Sequence, residues 1–395
     1  MKKQSVIKMA LVFFFSSVLL FSCLLSEGNA FLKGDINNDG KIDLAESVNA
    51  LQVSAGLKTA QPSSVINVPA DVSTIQEAID TASEGETIII AAGTYDEVLN
   101  ISKDNISIQG AGKESTIIRG NGTDRTIVLR NSRNITISSL AVQNGDIGIN
   151  TYYSSLVCFN VVIENNYRGL RARYNSYVTA ENTFIRNNTY GGVRLNNGSA
   201  GNFTDCEITG NGGIGFVCDR SSSVSIESCK VLSNGEHGIQ AWLDSNVSCS
   251  GSEIKLNGGP GFDISGNSSG QLFGANVISE NGDDIDWAGG VTIHHSSYCL
   301  ISDTNQIIDN RGAGVKIFNN SVGDIGPILI HDNDENGVNI QTGSVAQFDG
   351  TVITKNGGYG IDPCWNGDYF VLGPVDFGSA AAGTANTLGD VNPCE

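Results

Sequence analysis

Apolar and polar residues alternate in short runs along most of the chain. Residues 193–195 (Val-Arg-Leu), 315–317 (Val-Lys-Ile) and 338–340 (Val-Asn-Ile) each place two apolar side chains on one face of an extended segment and a polar one on the other. This period of two is typical of a β-strand with one buried face. No amphipathic helical stripe fits between successive runs, so the pattern predicts an all-β protein of short strands.

An asparagine precedes these runs at a nearly constant interval. Six of the nine intervals are 23 residues, and the others are 21, 24 and 29; the positions are Asn144, Asn165, Asn188, Asn211, Asn234, Asn257, Asn281, Asn310, Asn333 and Asn356. A repeat of this length is typical of a solenoid in which one repeat is one coil. We therefore predict a right-handed, single-stranded parallel β-helix of about ten or more coils, in which the asparagine amides stack as a ladder.

The chain begins with the features of an export signal. Lys2, Lys3 and Lys8 precede an apolar run over residues 9–25, and small residues lead to Ala30. This pattern predicts a signal peptide over residues 1–30 and an exported protein that is secreted, periplasmic or at the cell surface. Residues 20–23 (Leu-Phe-Ser-Cys) resemble a lipobox, so a lipid anchor on Cys23 remains an alternative to free secretion. No other segment is apolar enough to span a membrane.

Three parts follow the leader. Residues 31–60 form an EF-hand-like calcium segment and 61–64 a linker, residues 66–372 form the solenoid, and residues 373–395 form a C-terminal tail rich in Gly and Ala. Residues 73–76 (Ser-Thr-Ile-Gln) predict a capping box that opens an amphipathic helix over 74–82. We expect this helix to cover the N-terminal end of the coils, because an open end is an unpaired sheet edge.

The cysteines allow disulfides in an exported protein. Cys206 and Cys229 are 23 residues apart and occupy the same slot of adjacent coils. Coils stack about 4.8 Å apart, a separation that a disulfide tolerates, but two stacked buried thiols fit equally well. Cys364 and Cys394 could pin the tail to the last coil.

Residues 35–46 match an EF-hand calcium loop. The pattern has oxygen ligands at positions 1, 3 and 5, a glycine at position 6 and a glutamate at position 12, and its predicted ligands are Asp35, Asn37, Asp39, the Lys41 carbonyl and Glu46. We therefore expect Ca²⁺ as a cofactor. The segment resembles half of a dockerin, which implies a cohesin-type partner, but the second loop is missing. A structural Ca²⁺ site and a solvated acidic turn remain the alternatives.

Charge narrows the class of partner. The formal net charge is −19, and an acidic exported protein is a poor partner for nucleic acid. Nine of the eleven arginines nevertheless fall between Arg119 and Arg194. We expect a monomer whose partner is a polysaccharide or a cell-surface glycan.

Side chains six and eight residues after each ladder asparagine are predicted to face solvent on one sheet. On that face Arg171, Arg173 and Arg194 could bind carboxylates in bidentate fashion. Trp242 and Phe318 could stack on sugar faces. The alternative is that these positions are polar only because water covers them.

The repeat is interrupted between Asn281 and Asn310, where about five residues are inserted in a loop over 282–289. Loops that leave a regular solenoid often carry function, although surface insertions are also well tolerated. We expect this loop to lie beside neighbouring strands and to form a site for acid–base chemistry, with Asp263, Asp284, Asp286, His294 and Lys316 as candidate catalytic residues and Trp287 as a sugar platform. The three aspartates could instead bind Ca²⁺.

The N-terminal coil carries a family resemblance. Residues 68–71 (Val-Pro-Ala-Asp), 74–80, 93–95 (Gly-Thr-Tyr) and 106–112 are similar to the first coil of pectin-lyase-like right-handed β-helix proteins, a superfamily that includes pectate lyases, pectin esterases and alginate epimerases. The resemblance covers roughly residues 66–372 and implies the fold. Residues 359–364 (Tyr-Gly-Ile-Asp-Pro-Cys) also resemble the Tyr-Gly-x-Asp-Pro-His motif of mannuronan C5-epimerases, with Cys364 in place of the histidine.

Three functional hypotheses remain open. The first is an exported carbohydrate-active enzyme, a lyase, epimerase or hydrolase that acts on an acidic polysaccharide. The second is a non-catalytic carbohydrate-binding or surface-adhesion solenoid. The third is a periplasmic maturation factor of the copper-cluster type, which two methionines, four histidines and the absence of a His-rich tract disfavour.

Overall fold

The computed structural model describes residues 65–282, 289–379 and 384–394. In this part of the chain each short strand pairs in parallel with the equivalent strands of the preceding and following coils. Three long parallel sheets result. The predicted all-β parallel solenoid of about ten or more coils is therefore confirmed.

The first sheet has 14 strands. Its strands, in spatial order, are Val65–Val68, Thr87–Ile90, Ser107–Gly110, Ile135–Ser138, Ser155–Phe159, Tyr177–Glu181, Ala200–Thr204, Ser223–Glu227, Asn246–Ser250, Ser269–Phe273, Tyr298–Ile301, Val322–Ile325, Val345–Phe348 and Asp368–Val371.

The second sheet has 12 strands. They are Gly93–Asp96, Thr116–Arg119, Ala141–Gln143, Val162–Glu164, Phe184–Arg186, Glu207–Thr209, Lys230–Leu232, Glu253–Lys255, Val277–Ser279, Gln306–Ile308, Leu329–His331 and Val352–Thr354. Its inward column is apolar from Ile185 to Ile353 and almost wholly buried, so one hydrophobic core runs along the axis of the solenoid.

The third sheet has 13 strands and carries the predicted catalytic and substrate-binding residues that are among the described residues. They are Leu99–Ile101, Arg125–Arg130, Ile147–Tyr152, Arg168–Arg173, Gly191–Asn196, Phe216–Asp219, Ile239–Trp242, Phe262–Ser265, Gly289–His294, Ala313–Phe318, Val338–Gln341, Tyr359–Trp365 and Gly389–Val391.

The predicted capping helix is present and spans Ile75–Thr81, but its cap lies one residue later than predicted, with Thr74 and Glu77 in place of Ser73 and Gln76. The Thr74 hydroxyl accepts from the Glu77 N–H at 3.1 Å, and the Glu77 carboxylate accepts from the Ser73 N–H at 3.3 Å. Ile75 and Ile79 are buried against the first strands of the solenoid. No helix in the described part of the chain has the length and apolarity of a membrane span.

The asparagine ladder is present, with a correction at its start. The Asn211 N–H and Nδ2 both donate to Oδ1 of Asn234, at 3.1 and 2.9 Å, and the same contacts recur from Asn188 to Asn356. Asn144 and Asn165 are not ladder residues, because both adopt a left-handed conformation with φ of 57° and 55°. The ladder slot falls one residue later, where Gly145 donates to Oδ1 of Asn166.

A second ladder at the opposite corner of the 13-stranded sheet was not predicted. The backbone N–H of one serine donates to the Oγ of the serine one coil on, through Ser132, Ser154, Ser176, Ser199, Ser222, Ser245, Ser268, Ser297, Ser321 and Ser344. The signal was present in the sequence as serines that recur 22 to 29 residues apart.

Of the two alternatives for Cys206 and Cys229, a disulfide or two stacked thiols, the structure has the stacked thiols. Cys206 and Cys229 are free, buried and stacked, with the Cys206 N–H 3.4 Å from Sγ of Cys229. Cys364 and Cys394 form the expected disulfide, which ties the last described strand, Gly389–Val391, to the coil beneath it. The leader, the linker and the calcium-loop residues Asp35, Asn37, Asp39, Lys41 and Glu46 lie outside the described residues.

Candidate functional site

The outer face of the 13-stranded sheet presents two columns of side chains, because alternate residues point away from the core. The first column contains Val128, Asn150, Arg171, Arg194, Val217, Gln240, Asp263, Thr292, Lys316 and Asn339. The second contains Arg130, Tyr152, Arg173, Asn196, Asp219, Trp242, Ser265, His294, Phe318 and Gln341. These columns hold every described residue of the predicted site.

The arginine trio is brought together as predicted. Arg171 is the register partner of Arg194 on the next strand, and Arg173 is two residues from Arg171 on the same strand. Burial, followed by the charges of Arg173, Arg194 and Arg168, lowers the pKa of Arg171 to about 10. Such crowding of positive charge favours an anionic occupant.

Several donors on this face are buried without a protein acceptor. Among the described residues, Nε has no hydrogen-bond partner in Arg125, Arg171, Arg173 and Arg194. A buried polar group without a partner costs about 1–3 kcal/mol. This concentration of unpaired donors on one face therefore points to a ligand with acceptor oxygens.

Tyrosines border the arginines on both sides. Tyr167 and Tyr190 stack with ring centroids 5.6 Å apart, and the Arg168 guanidinium lies 4.6 and 4.7 Å from their centroids. At the other border Tyr152 stacks on Tyr174 at 6.1 Å. Burial raises the pKa of Tyr152, but a hydrogen bond from Arg173 and the charge of Arg125 outweigh it, so the net shift is downward. We call Arg168, Arg171, Arg173, Arg194 and these tyrosines the arginine–tyrosine surface.

A groove leads away from the arginine–tyrosine surface along the sheet. It is a cavity of about 190 Å³ between Arg168, Arg171, Tyr190 and Arg194 at one end and Val217, Gln240 and Trp242 at the other. Trp242 is 41% exposed, as expected for a sugar platform. Asp219, beside Trp242, is wholly buried and accepts from Arg194 and Arg220 with one oxygen, while its Oδ1 has no partner.

Beyond Gln240 lies a cluster around Asp263, which we call the histidine cluster and which comprises Asp263, His294 and His295. Asp263 is 2% exposed; its Oδ1 lies 2.9 Å from Nε2 of His294, and its Oδ2 accepts from Gln240 at 2.8 Å. Burial raises the pKa of Asp263. The His294 hydrogen bond, the charge of nearby His237 and the Gln240 amide together lower it by more, so the net shift is downward. Two of the candidate catalytic residues, Asp263 and His294, are therefore in direct contact.

Two of the candidate site residues, Phe318 and Asp263, are buried although they were expected to be exposed. Phe318 is 4% exposed, because the His294 ring stacks on it with centroids 4.8 Å apart, so it cannot present a flat face to a sugar. Asp263 also points outward and yet is buried beneath its hydrogen-bond partners. Lys316 is in register with Thr292, two strands from Asp263.

Of the inserted loop over 282–289, only Gly282 and Gly289 are among the described residues. Asp284, Asp286 and Trp287 lie outside the described residues, so their predicted roles stay predictions. Gly282 and Gly289, which flank the insertion, are described, and Gly289 begins the strand that ends at His294. Within the described residues no group of three or more His, Cys, Asp or Glu side chains is arranged to hold a metal ion.

Sequence reasoning missed His295, Tyr190 and Gln240 as members of the site. His295 and Tyr190 are turn residues, which a strand alternation does not place on either face. Gln240 follows the alternation, but its bond to Asp263 joins residues 23 apart. The sequence did carry a signal for the tyrosines of the site, because six of the ten tyrosines lie between residues 152 and 190.

Comparisons with known proteins agree with this architecture. The family model described as "Right handed beta helix region" matches residues 125–278 and 215–372, and no curated protein matches the sequence. The Azotobacter vinelandii mannuronan C-5 epimerase AlgE4 A-module is similar in structure with a TM-score of 0.59 and 18% identity, over 80% of this chain and 94% of that one. The catalytic domain of a GH87 alpha-1,3-glucanase in complex with nigerose has a TM-score of 0.58 and 15% identity, over 82% and 69%. At these identities the likeness shows the fold alone.

Proposed function

The chain belongs to the right-handed β-helix family, and on that basis we propose that it is a carbohydrate-active protein that holds an acidic polysaccharide in the groove of its 13-stranded sheet. The observation that carries this proposal is the set of buried, unpaired arginine Nε donors on the outer face of that sheet. Carboxylates supply the acceptor oxygens that paired arginine donors bind best.

The shape of the site favours a polymer over a small ligand. Arg194 and His294 are four strands apart, which is roughly 19 Å at the spacing of about 4.8 Å between strands. The groove and Gln240 connect the two ends. An extended chain could therefore be anchored by its carboxylates at the arginine–tyrosine surface while another of its sugars lies at the histidine cluster.

The names of two structural neighbours support a carbohydrate as the ligand. One is a mannuronan C-5 epimerase module, and the other is an alpha-1,3-glucanase in complex with nigerose. The Asp263–His294 pair supplies the groups needed for acid–base chemistry on such a polymer. We further propose, from the sequence motifs alone, that the protein is exported and that residues 35–46 bind Ca²⁺.

A non-catalytic binding role is the second candidate. Both ring nitrogens of His294 are engaged, Nε2 by Asp263 and Nδ1 by His295. A histidine held in this way accepts a proton from a substrate only through a partner, whereas binding at the arginine–tyrosine surface needs no such step.

The two candidates are separated by a screen of acidic polysaccharides. The full chain should bind a polyuronate. Incubation of the two should also yield unsaturated uronates, epimerised residues or new reducing ends, which absorbance and proton NMR detect. A neutral glucan of similar length is the control ligand and should bind at least about tenfold more weakly. Binding of the polyuronate without any product would favour the non-catalytic candidate, and equal binding of both polymers would contradict the proposal.

A further inference from the structure

Three side chains form a continuous line of hydrogen bonds from solvent to the floor of the site. His295 is exposed, and its Nδ1 lies 2.7 Å from Nδ1 of His294. Nε2 of His294 lies 2.9 Å from Oδ1 of Asp263. We propose that His295 and His294 form a proton relay between solvent and Asp263, an inference that rests on the proposed catalytic function.

The relay assigns each proton to a particular ring nitrogen. The relay assigns a carboxylate to Asp263 and a neutral ring to His294. Nε2 of His294 then donates to Asp263, and Nδ1 of His294 is an acceptor. Nδ1 of His295 must therefore donate to His294. That leaves a lone pair on Nε2 of His295, which faces the Asn319 amide nitrogen at 3.4 Å. Every contact in the line agrees with one set of tautomers.

One end of the line is exposed to solvent, and the other is buried beneath a residue of the groove. His295 lies in the turn after the strand Gly289–His294, away from the groove, whereas Asp263 is bonded to Gln240, which lines the groove. His237 is the other histidine whose charge lowers the pKa of Asp263. A proton can thus pass between solvent and a buried carboxylate without water entering the groove.

The proton steps balance. A proton that binds Nε2 of His295 displaces the Nδ1 proton onto Nδ1 of His294, and the Nε2 proton of His294 moves to Oδ1 of Asp263, which becomes a carboxylic acid. The carboxyl group then rotates, the Gln240 amide leaves Asp263 on the groove side, and the proton passes to a substrate oxygen or carbanion in the groove. When Asp263 later takes a proton from the substrate, the same transfers run in reverse, release a proton at His295 and restore the starting tautomers. The relay therefore suits a reaction that donates one proton and accepts another.

Nitrogen-15 NMR of the full chain tests the relay without reference to activity. We expect His294 to carry its proton on Nε2 and His295 on Nδ1, and we expect Asp263→Asn to abolish the preference of His294. His331→Ala, which removes a histidine of the 12-stranded sheet, should leave these signals unchanged. A wild-type His294 protonated on Nδ1 would overturn the relay.

Kinetics supply the second readout on the polymer identified by the screen. His295→Ala and the bulkier His295→Gln should each lower turnover about tenfold or more without changing polymer affinity, and added imidazole should restore the rate of His295→Ala. An unchanged rate, or a loss that imidazole does not restore, would contradict the relay. If the wild-type protein turns over no polymer, the proposed catalytic function is wrong. The tautomers measured by NMR then decide by themselves whether the protons lie on the nitrogens that the relay assigns.

Discussion

The two corners that border the 13-stranded sheet repeat one side chain in coil after coil, whereas the outer face of that sheet changes residue on almost every strand. At the corners, Asn188 to Asn356 and Ser132 to Ser344 each bond to an identical residue one coil away. On the outer face, Arg171 and Arg194 give way to Gln240, Asp263 and Thr292. The difference indicates that stability comes from the repeated positions and specificity from the unrepeated ones.

The largest effect is expected at the histidine cluster. His294→Ala removes the group that bonds Asp263 and His295, so turnover should fall about 1,000-fold, within the range for a positioned acid–base group. The dissociation constant for the polymer should stay within about twofold, because the arginine–tyrosine surface is untouched. A loss of affinity that parallels the loss of turnover would place substrate anchoring at the histidine cluster instead.

The arginine trio should show the reverse behaviour. Replacing Arg171, Arg173 and Arg194 by Ala should weaken polyuronate binding about 100-fold, taking about 1 kcal/mol for each partly exposed arginine. Turnover at saturating polymer should persist. The charge-matched control replaces Arg119, Arg133 and Arg186, which lie outside the outer face of the 13-stranded sheet. Equal weakening by both triple variants would mean that only net charge matters.

A repeated position should affect stability and leave binding intact. Asn234→Ala removes the acceptor of the Asn211 N–H and the donor to the Ile208 carbonyl, so the free energy of unfolding should fall by about 1–3 kcal/mol. Asn202→Ala, the same change on the exposed face of the 14-stranded sheet, is the control and should cost less than about 0.5 kcal/mol. Similar changes in denaturant midpoint for the two variants would contradict the ladder.

The smallest effect concerns acid. The pKa of Asp263 is lowered in the folded protein, so its ionisation stabilises the fold above the unfolded value of about 3.9, and this contribution is lost as pH falls through the lower folded value. The difference in unfolding free energy between wild type and Asp263→Asn should therefore narrow in acid. Asp334→Asn, at an exposed aspartate, should show no such narrowing in urea titrations over the same pH series. If the difference in unfolding free energy between wild type and Asp263→Asn widened in acid, the pKa of Asp263 would be raised in the folded protein and the account would be contradicted.

Much of the fold follows from the sequence, because the period of about 23 residues is imposed by the geometry of the coil. The error at Asn144 and Asn165 has a physical origin. Each is followed directly by a residue that can occupy the ladder slot, Gly145 or Asn166, and the first residue of the pair takes the left-handed turn.

The site was harder to predict than the fold. Alternation along a strand shows which side chains point outward, and it placed Arg171, Arg194, Asp263 and His294 on one face. Alternation cannot show which outward side chains are covered, because coverage depends on the length and rotamers of residues one coil away. Phe318 is buried by His294, 24 residues earlier.

The most direct test of the central claim is a crystal structure of the full chain with a bound acidic oligosaccharide long enough to span five strands of the 13-stranded sheet. We predict that its carboxylates contact Arg171 and Arg194, that one sugar ring lies on Trp242, and that the chain reaches the histidine cluster. An oligosaccharide bound instead on the outer face of the 14-stranded sheet, with the arginine Nε atoms still unpaired, would contradict the account.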